Sequence, residues 1–237
     1  MSHPTRGWDA RAYWAVDLAA PYTRTLGEHG FFPYSPAAAL LASLFQLLPW
    51  TVFFIAWWAV MLLALAYLAG NLERFVTVLA FPAVAWELVA GNIHLLMAVA
   101  IVVGFRYPAA WALIALTKVT PCVGLLWFAV RREWRSLGVA LGATAIIAAA
   151  SWWFVPNLWG EWLAMLRDTS GTPQLLPLWL RLPLAVALVV WGALTDRYWT
   201  VPVAATLALP VLWSGGLSML VAAWTLKVVR PPERKTV

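Results

Sequence analysis

Charged residues are scarce in this chain of 237 residues, where Asp, Glu, Lys and Arg together make up 11% of the sequence. A soluble domain carries about 25% charged residues. Because 63% of the residues are hydrophobic and the mean hydropathy is +0.79, the composition excludes a disordered chain and a soluble globular domain. Three long segments contain no charged residue at all, namely 29–72, 136–160 and 198–226. A helix needs about 20 apolar residues to cross a bilayer, so the sequence predicts an all-α polytopic membrane protein.

Cysteine and histidine are scarce as well. The single cysteine, Cys122, excludes a disulfide within the chain, and its apolar surroundings favour a small core residue over a nucleophile. The three histidines, at positions 3, 29 and 94, lack the spacing of metal ligands. The sequence also lacks the glycine-rich phosphate loops of soluble nucleotide-binding proteins. We therefore expect no metal ligands and no other cofactor.

Basic residues outnumber acidic ones, 16 to 10. In a membrane protein, such an excess indicates cytoplasmic loop anchors rather than a nucleic-acid partner. We assign five polar corners to the cytoplasmic side: 73–74, 106, 131–135, 196–197 and the C-terminal tail. That side then holds ten of the 16 basic residues and four of the ten acidic residues, as the positive-inside rule requires. The predicted location is the plasma membrane.

The same orientation divides the chain into three regions. Residues 1–35 are polar and aromatic, and we expect an extracytoplasmic juxtamembrane segment with short interfacial helices. Residues 36–230 are predicted to form about 8–10 transmembrane or half-spanning helices, with an extracytoplasmic loop at 156–176. Residues 231–237 are the predicted cytoplasmic tail.

Breaks in the apolar segments predict where a cavity lies. Leu-Pro-Trp at 48–50 separates an expected interfacial helix from an expected span. The crossings at 93–105, 107–118 and 121–130 are too short to cross a bilayer in contact with lipid. Irregular backbone at membrane depth is tolerated where it lines a cavity or is buried in protein. We therefore expect a cavity that opens outward near Asn92 and Lys118.

Asp9 and Tyr13 lie four residues apart and share one face if this segment is helical. A carboxylate beside aromatic rings has a raised pKa and suits a general base. The alternative is a solvated acid beside Arg6 and Arg11. Asp17 lies on the same predicted face of the membrane.

Lys118 is the only cation in the apolar stretch 111–128. Pro121 predicts a helix break beside it. A lysine at a break that faces a cavity suits a phosphate group, because it supplies a charged hydrogen-bond donor. The alternative is a lysine that extends its side chain to the membrane surface.

Two further polar groups lie at predicted outward corners. Glu87, Asn92 and His94 cluster at the first corner. Glu87 is either functional or simply hydrated. His94 is either functional or a structural residue held by hydrogen bonds. Arg181 begins an apolar helix in the second. It either pairs with an acidic residue, Asp168 or Glu161, or binds an anion.

Several motifs in order resemble glycosyltransferase family 87. The first are Asp-x-x-x-Tyr-Trp from Asp9, Pro-Tyr at 21–22, Phe-x-Tyr-Ser-Pro at 32–36 and Leu-Leu-Pro-Trp at 47–50. The segment PAVAWELVAGNIHLL is similar to the corner of that family in which Gly precedes Gln or Asn. The segment ALTKVTPCVGLLWFAVRREWR resembles its Lys-x-x-Pro helix break and basic loop. The segment from LRLPLAV onward resembles its C-terminal helices.

The resemblance implies a GT-C-like fold and a polyprenol-phosphate-mannose-dependent mannosyltransferase. Such enzymes transfer a hexose from a polyprenyl-phosphate sugar to a hydroxyl of a glycan or glycolipid acceptor on the extracytoplasmic face. The resemblance places the catalytic base at Asp9 and so implies that residues 1–35 are the extracytoplasmic catalytic loop. Substrate-binding residues are expected at Tyr13, Asp17, Tyr34, Asn92, His94, Lys118 and Arg181. By the same comparison, the first transmembrane helix of the family is expected to be missing.

Two other functions are open from the sequence. A lipid or small-molecule transporter agrees with the broken helices, although the chain shows no clear internal repeat. An inactive, truncated relative that serves as a membrane scaffold is the second. In that protein, Asp9 and Lys118 are dispensable.

Overall fold

The computed structural model describes residues 7–169 and 176–228, and within these ranges it contains helices and no strand. The α-helices are α1 Trp8–Trp14, α2 Pro36–Ser43, α3 Trp50–Ala69, α4 Leu72–Leu79, α5 Pro82–Ala90, α6 His94–Gly104, α7 Trp111–Thr117, α8 Leu126–Val130, α9 Trp134–Phe154, α10 Pro156–Thr169, α11 Leu178–Leu194, α12 Thr200–Leu207 and α13 Leu220–Val228. Short 3-10 helices cover Leu44–Leu47, Pro108–Ala110, Thr120–Leu125 and Ser214–Met219. The predicted all-α class is confirmed. The predicted tail at 231–237 and Arg6 lie outside the described residues.

Two helices within the described ranges, α3 and α9, are long and apolar enough to cross a membrane. Helices α5 and α6 pass the same test together and are bent by 113° where they meet, so the count rises to three if they form one broken span. Only 11% of the apolar stretch of α9 is buried inside the protein, so most of its surface is available to lipid. The protein is therefore a polytopic membrane protein.

Shorter apolar helices account for most of the remaining predicted crossings. The break expected at 48–50 is present, because α2 and its 3-10 extension end at Leu47 and α3 begins at Trp50. The three short crossings expected from the sequence correspond to α6 and to the apolar helical segments Pro108–Thr117 and Thr120–Val130.

Two segments differ from the sequence-based expectation. The predicted loop at 156–176 is largely the helix α10, and its positions 170–175 lie outside the described residues. Helix α10 buries Leu158, Trp162 and Met165 at helical spacing, and the Trp162 indole donates to the Pro33 carbonyl at 3.3 Å. Between residue 7 and residue 35, the N-terminal segment contains one short helix, α1, followed by turns and bends through residue 34, rather than several interfacial helices. Helix α1 ends at Trp14, and turns and bends at residues 18–22 follow it.

The interior has two apolar clusters that meet at α6. One is centred on Trp111, Trp127 and Val201, and the other on Tyr13, Trp57 and Met61. Ile93 and Val102 pack against both clusters. The bend between α5 and α6 therefore lies beside the place where the two clusters meet.

Candidate active site

The bend between α5 and α6 receives α1 at close range. Helix α5 ends at Gly91, which has φ +71°, and a Cβ at this position would lie 2.7 Å from the Cβ of Ala10. Glycine at position 91 therefore permits both the left-handed backbone and the close approach of α1. The Gly7 backbone N–H donates to the Val89 carbonyl at 2.7 Å and fixes the start of α1 at the same place.

This approach joins Asp9 to Asn92. The Asn92 side-chain amide donates to Asp9 Oδ2 at 2.7 Å. The carbonyl oxygen of the same amide accepts from the Tyr13 hydroxyl at 3.3 Å and from the Ile93 backbone N–H at 2.7 Å. Asp9 and Tyr13 thus share one face of α1, as predicted, and Asn92 holds both.

Aromatic side chains extend the same network. The hydroxyl groups of Tyr13 and Tyr34 lie 2.9 Å apart and are hydrogen-bonded. The ring of Tyr13 also packs on Trp57, with 5.3 Å between centroids. The Tyr22 hydroxyl donates to the Tyr34 carbonyl at 2.9 Å, so a loop residue fixes the backbone beside the network. These contacts give the N-terminal segment a defined position.

A second network begins two residues beyond Asn92. Glu87 Oε1 accepts the His94 backbone N–H at 2.7 Å, and Glu87 Oε2 lies 3.0 Å from His94 Nδ1. On the other side of the ring, His94 Nε2 lies 2.7 Å from Lys118 Nζ. Glu87 is 0% exposed, so the expected hydrated alternative for this residue is wrong.

Lys118 occupies the helix break predicted from Pro121. Helix α7 ends at Thr117, and Lys118 has extended backbone before the 3-10 helix Thr120–Leu125 begins. The Thr120 hydroxyl donates to the Ala208 carbonyl and ties this break to the end of α12. Because its ammonium group contacts His94, Lys118 points into the protein rather than to the membrane surface.

Burial and nearby charges set the protonation of the site. Burial raises the pKa of Asp9, and the hydrogen bond from Asn92 and the positive charge of Lys118 oppose that rise. Burial also raises the pKa of Tyr13 and of Tyr34, so both phenols remain protonated at neutral pH. The site therefore combines one carboxylate of raised pKa with hydroxyl donors and a lysine close enough to act on it by charge.

A family model described as "Glycosyltransferase family 87" matches residues 31–235. The chain belongs to glycosyltransferase family 87. The matched region contains Tyr34, Asn92, His94 and Lys118, whereas α1 with Asp9 and Tyr13 lies N-terminal to it. No curated protein and no solved structure matches the chain. The protein is therefore a membrane glycosyltransferase of family 87, with a carboxylate and a lysine at one helix bend.

Asp17 lies outside this network in the family 87 protein. It is exposed, and its Oδ1 accepts the Ala19 backbone N–H at 2.9 Å in a local turn. A cleft of about 130 Å³ contains Asp17 together with Arg24 and Phe32. The structure thus separates Asp17 from the residues at the bend, and its role in substrate binding stays a prediction.

Arg181 is buried against the end of α12 and the residues that follow it. Its guanidinium donates to the carbonyls of Leu176, Leu207 and Leu209 at 2.6–2.9 Å and to that of Pro210 at 3.3 Å. Leu207 is the last residue of α12, where a helix leaves its last carbonyls without partners, and Leu209 and Pro210 lie in the segment just after that helix. Arg181 therefore braces the segment that also contacts Thr120, and its predicted role in anion binding stays a prediction.

Glu87 is the residue of this family 87 site for which the sequence offers both a functional and a hydrated alternative. The pattern WELVAGNIH contains it, but seven positions separate it from His94 across the bend. The only sequence signal for this pairing is an acid in an apolar segment a few residues before a histidine. Among the described residues, no three His, Cys, Asp or Glu side chains are grouped as ligands of a metal ion.

Proposed function

We propose that this family 87 protein transfers a hexosyl group, specifically mannose, from a polyprenyl-phosphate sugar to a hydroxyl of a glycan or glycolipid acceptor. The reaction takes place on the extracytoplasmic face of the plasma membrane. The proposal combines the family membership with the charge asymmetry of the loops and with the resemblance of the motifs at the bend.

One observation carries the proposal. The carboxylate of Asp9 and the ammonium of Lys118 are both held at the bend between α5 and α6, the first by Asn92 and the second by His94. Transfer from a sugar phosphate needs a base for the acceptor hydroxyl and a cation for the departing phosphate. The same bend supplies both groups.

The chemical step is one displacement at the anomeric carbon. Asp9 accepts the proton of the acceptor hydroxyl while the acceptor oxygen forms its bond to the anomeric carbon. The bond from that carbon to the phosphate oxygen breaks, and its electron pair leaves with the polyprenyl phosphate. Lys118 stabilises the charge that develops on the phosphate. Attack from the face opposite the phosphate inverts the anomeric configuration.

The direct test is donor specificity with the full chain purified in lipid nanodiscs. Octyl mannoside serves as the acceptor, and two radiolabelled donors carry the same sugar, polyprenyl-phosphate mannose and GDP-mannose. We expect radiolabel in the octyl glycoside with the polyprenyl donor alone. Polyprenyl-phosphate glucose in a parallel reaction tests the sugar.

Three results would argue against this function. Transfer from GDP-mannose and not from the polyprenyl donor excludes the proposed donor class. Faster transfer of glucose than of mannose corrects the sugar. Movement of an intact polyprenyl-phosphate sugar across the bilayer of proteoliposomes without any transfer favours the transporter.

A further inference from the structure

Glu87 has both of its carboxylate oxygens committed to one residue. Oε1 accepts the backbone N–H of His94 and Oε2 lies 3.0 Å from the ring Nδ1. Glu87 is 0% exposed and His94 is 1% exposed, so no bulk water competes for these contacts. On the other side of the ring, the Lys118 ammonium can only donate and lies 2.7 Å from Nε2, so Nε2 accepts and the ring proton lies on Nδ1, facing Glu87 Oε2.

The position of that proton decides what the other ring nitrogen does. A neutral histidine protonated at Nδ1 has a lone pair at Nε2. That lone pair faces Lys118, whose Nζ lies at 2.7 Å and offers three N–H donors. The three residues therefore form one series of hydrogen bonds. Glu87 sets the tautomer of His94, and Nε2 of His94 accepts a hydrogen bond from the ammonium of Lys118.

A purely structural role does not explain why the hydrogen bonds run from Glu87 through His94 to Lys118. A buried ion pair is often replaceable by apolar residues of the same volume without loss of stability. Here the series of hydrogen bonds leads to Lys118, the cation that acts by charge on Asp9. Lys118 lies where the backbone is not helical. A lysine side chain is long and flexible, so holding its ammonium in one place needs a fixed acceptor.

We propose that Glu87 and His94 are positioning residues that hold the Lys118 ammonium in place for the phosphate of the lipid-linked donor. This inference rests on the proposed function, because it assigns the phosphate to Lys118. Glu87 and His94 act through Lys118 and not on the sugar or the acceptor.

The first test measures the tautomer of His94 directly. The full chain, labelled with ¹⁵N-histidine and purified through a tag without histidine, has only three histidines. The variants His3→Gln and His29→Gln assign the signals by elimination. We expect Nδ1 of His94 to be protonated and Nε2 to be unprotonated in the wild type. A protonated Nε2, in either a neutral or a charged ring, would overturn the proposal.

The second test uses Glu87→Gln. Glutamine keeps the shape of the side chain but has one acceptor oxygen and one amide donor. If the oxygen stays on the His94 backbone, the amide donates to Nδ1 and moves the ring proton to Nε2. Nε2 then no longer accepts a hydrogen bond from Lys118, because an N–H group faces the N–H groups of the ammonium. We expect the ¹⁵N spectrum to change to the Nε2–H form and the inhibition constant of added polyprenyl phosphate to rise about tenfold. The matched variant Glu73→Gln, at an exposed position, should leave both unchanged.

A double-variant cycle separates positioning from structural support. If Glu87 acts through Lys118, then Glu87→Gln combined with Lys118→Met should lose no more transfer than Lys118→Met alone. Losses that multiply would contradict the proposal. If the tautomer is as expected but wild-type protein transfers nothing from the polyprenyl donor, the proposed function fails. If wild-type protein transfers mannose and Nε2 is protonated, the positioning role fails and the function stands.

Discussion

The side-chain amide of Asn92 donates to the carboxylate of Asp9 at 2.7 Å, across 83 positions of sequence. This bond joins α1 to the bend of α5 and α6, and it stabilises the ionised form of a partly buried acid. The residue proposed as the base is therefore attached to the same bend whose His94 contacts Lys118.

Removal of this amide should change the pH dependence of transfer. The hydrogen bond from Asn92 lowers the pKa of Asp9, so Asn92→Ala should raise that pKa further. A base works when deprotonated, and activity is lost as the pH falls through its pKa. The acid limb of the pH profile of kcat/KM should therefore move to higher pH. The exposed variant Asn157→Ala is the control, and an unmoved acid limb in Asn92→Ala would separate Asp9 from this limb.

Lys118→Met keeps the apolar stem and removes the charge. Loss of a charge-assisted hydrogen bond of about 1.5–3 kcal/mol should lower kcat/KM by about ten- to a hundredfold. Lys118→Arg should recover part of this loss, since the charge returns in a different shape. The protection of the folded protein by polyprenyl phosphate in thermal unfolding should shrink for Lys118→Met. Lys227→Met, at an exposed position, is the matched control. Undiminished protection in Lys118→Met would remove this residue from the donor site.

Gly215→Ala tests whether the position of Glu87 matters. A Cβ at residue 215 would lie 2.8 Å from Glu87 Oε2, so one of the two must shift, and the carboxylate at the end of a flexible side chain is the part that we expect to move. Displacement of a positioning group by about 1 Å costs up to a hundredfold in rate, and we expect about a tenfold loss of kcat/KM. The control is Gly142→Ala, since nothing lies within 4 Å of that Cβ position. Equal activity of the two variants would count against a role for Glu87.

Much of this architecture was predictable from the sequence, because its physical causes are local. Long stretches without charge predict the spans, and Pro121 beside Lys118 predicts the break that the structure contains. Asp9 and Tyr13 share a face because four residues make about one helical turn.

The remaining site contacts depend on tertiary packing. The pairing of Glu87 with His94 requires the 113° bend, whose angle no local pattern encodes. The contacts of Arg181 were also not predictable, since the carbonyls that it binds become available only where α12 ends against α11. The sequence predicts a loop over Pro156–Thr169, where the structure has a helix, because polar residues on the exposed face interrupt the apolar ones.

The predicted orientation in the membrane is open to labelling with an impermeant maleimide. In a Cys122→Ala background, Asn157→Cys should react on intact cells and Glu73→Cys only after lysis, since the two exposed positions lie on opposite predicted sides. The physical basis is the excess of basic residues assigned to the cytoplasmic corners. The reverse pattern would place the bend on the cytoplasmic side and contradict the extracytoplasmic reaction.

The most direct test of the account is transfer from polyprenyl-phosphate mannose by Asp9→Asn. Asparagine keeps nearly the same shape and removes the base, and general base catalysis contributes about 10²- to 10⁴-fold. We therefore expect a loss of kcat in this range, with thermal stabilisation by polyprenyl phosphate retained, because the donor phosphate is bound elsewhere. A loss smaller than about tenfold, or a larger loss in Asp17→Asn than in Asp9→Asn, would contradict the assignment of Asp9 as the base.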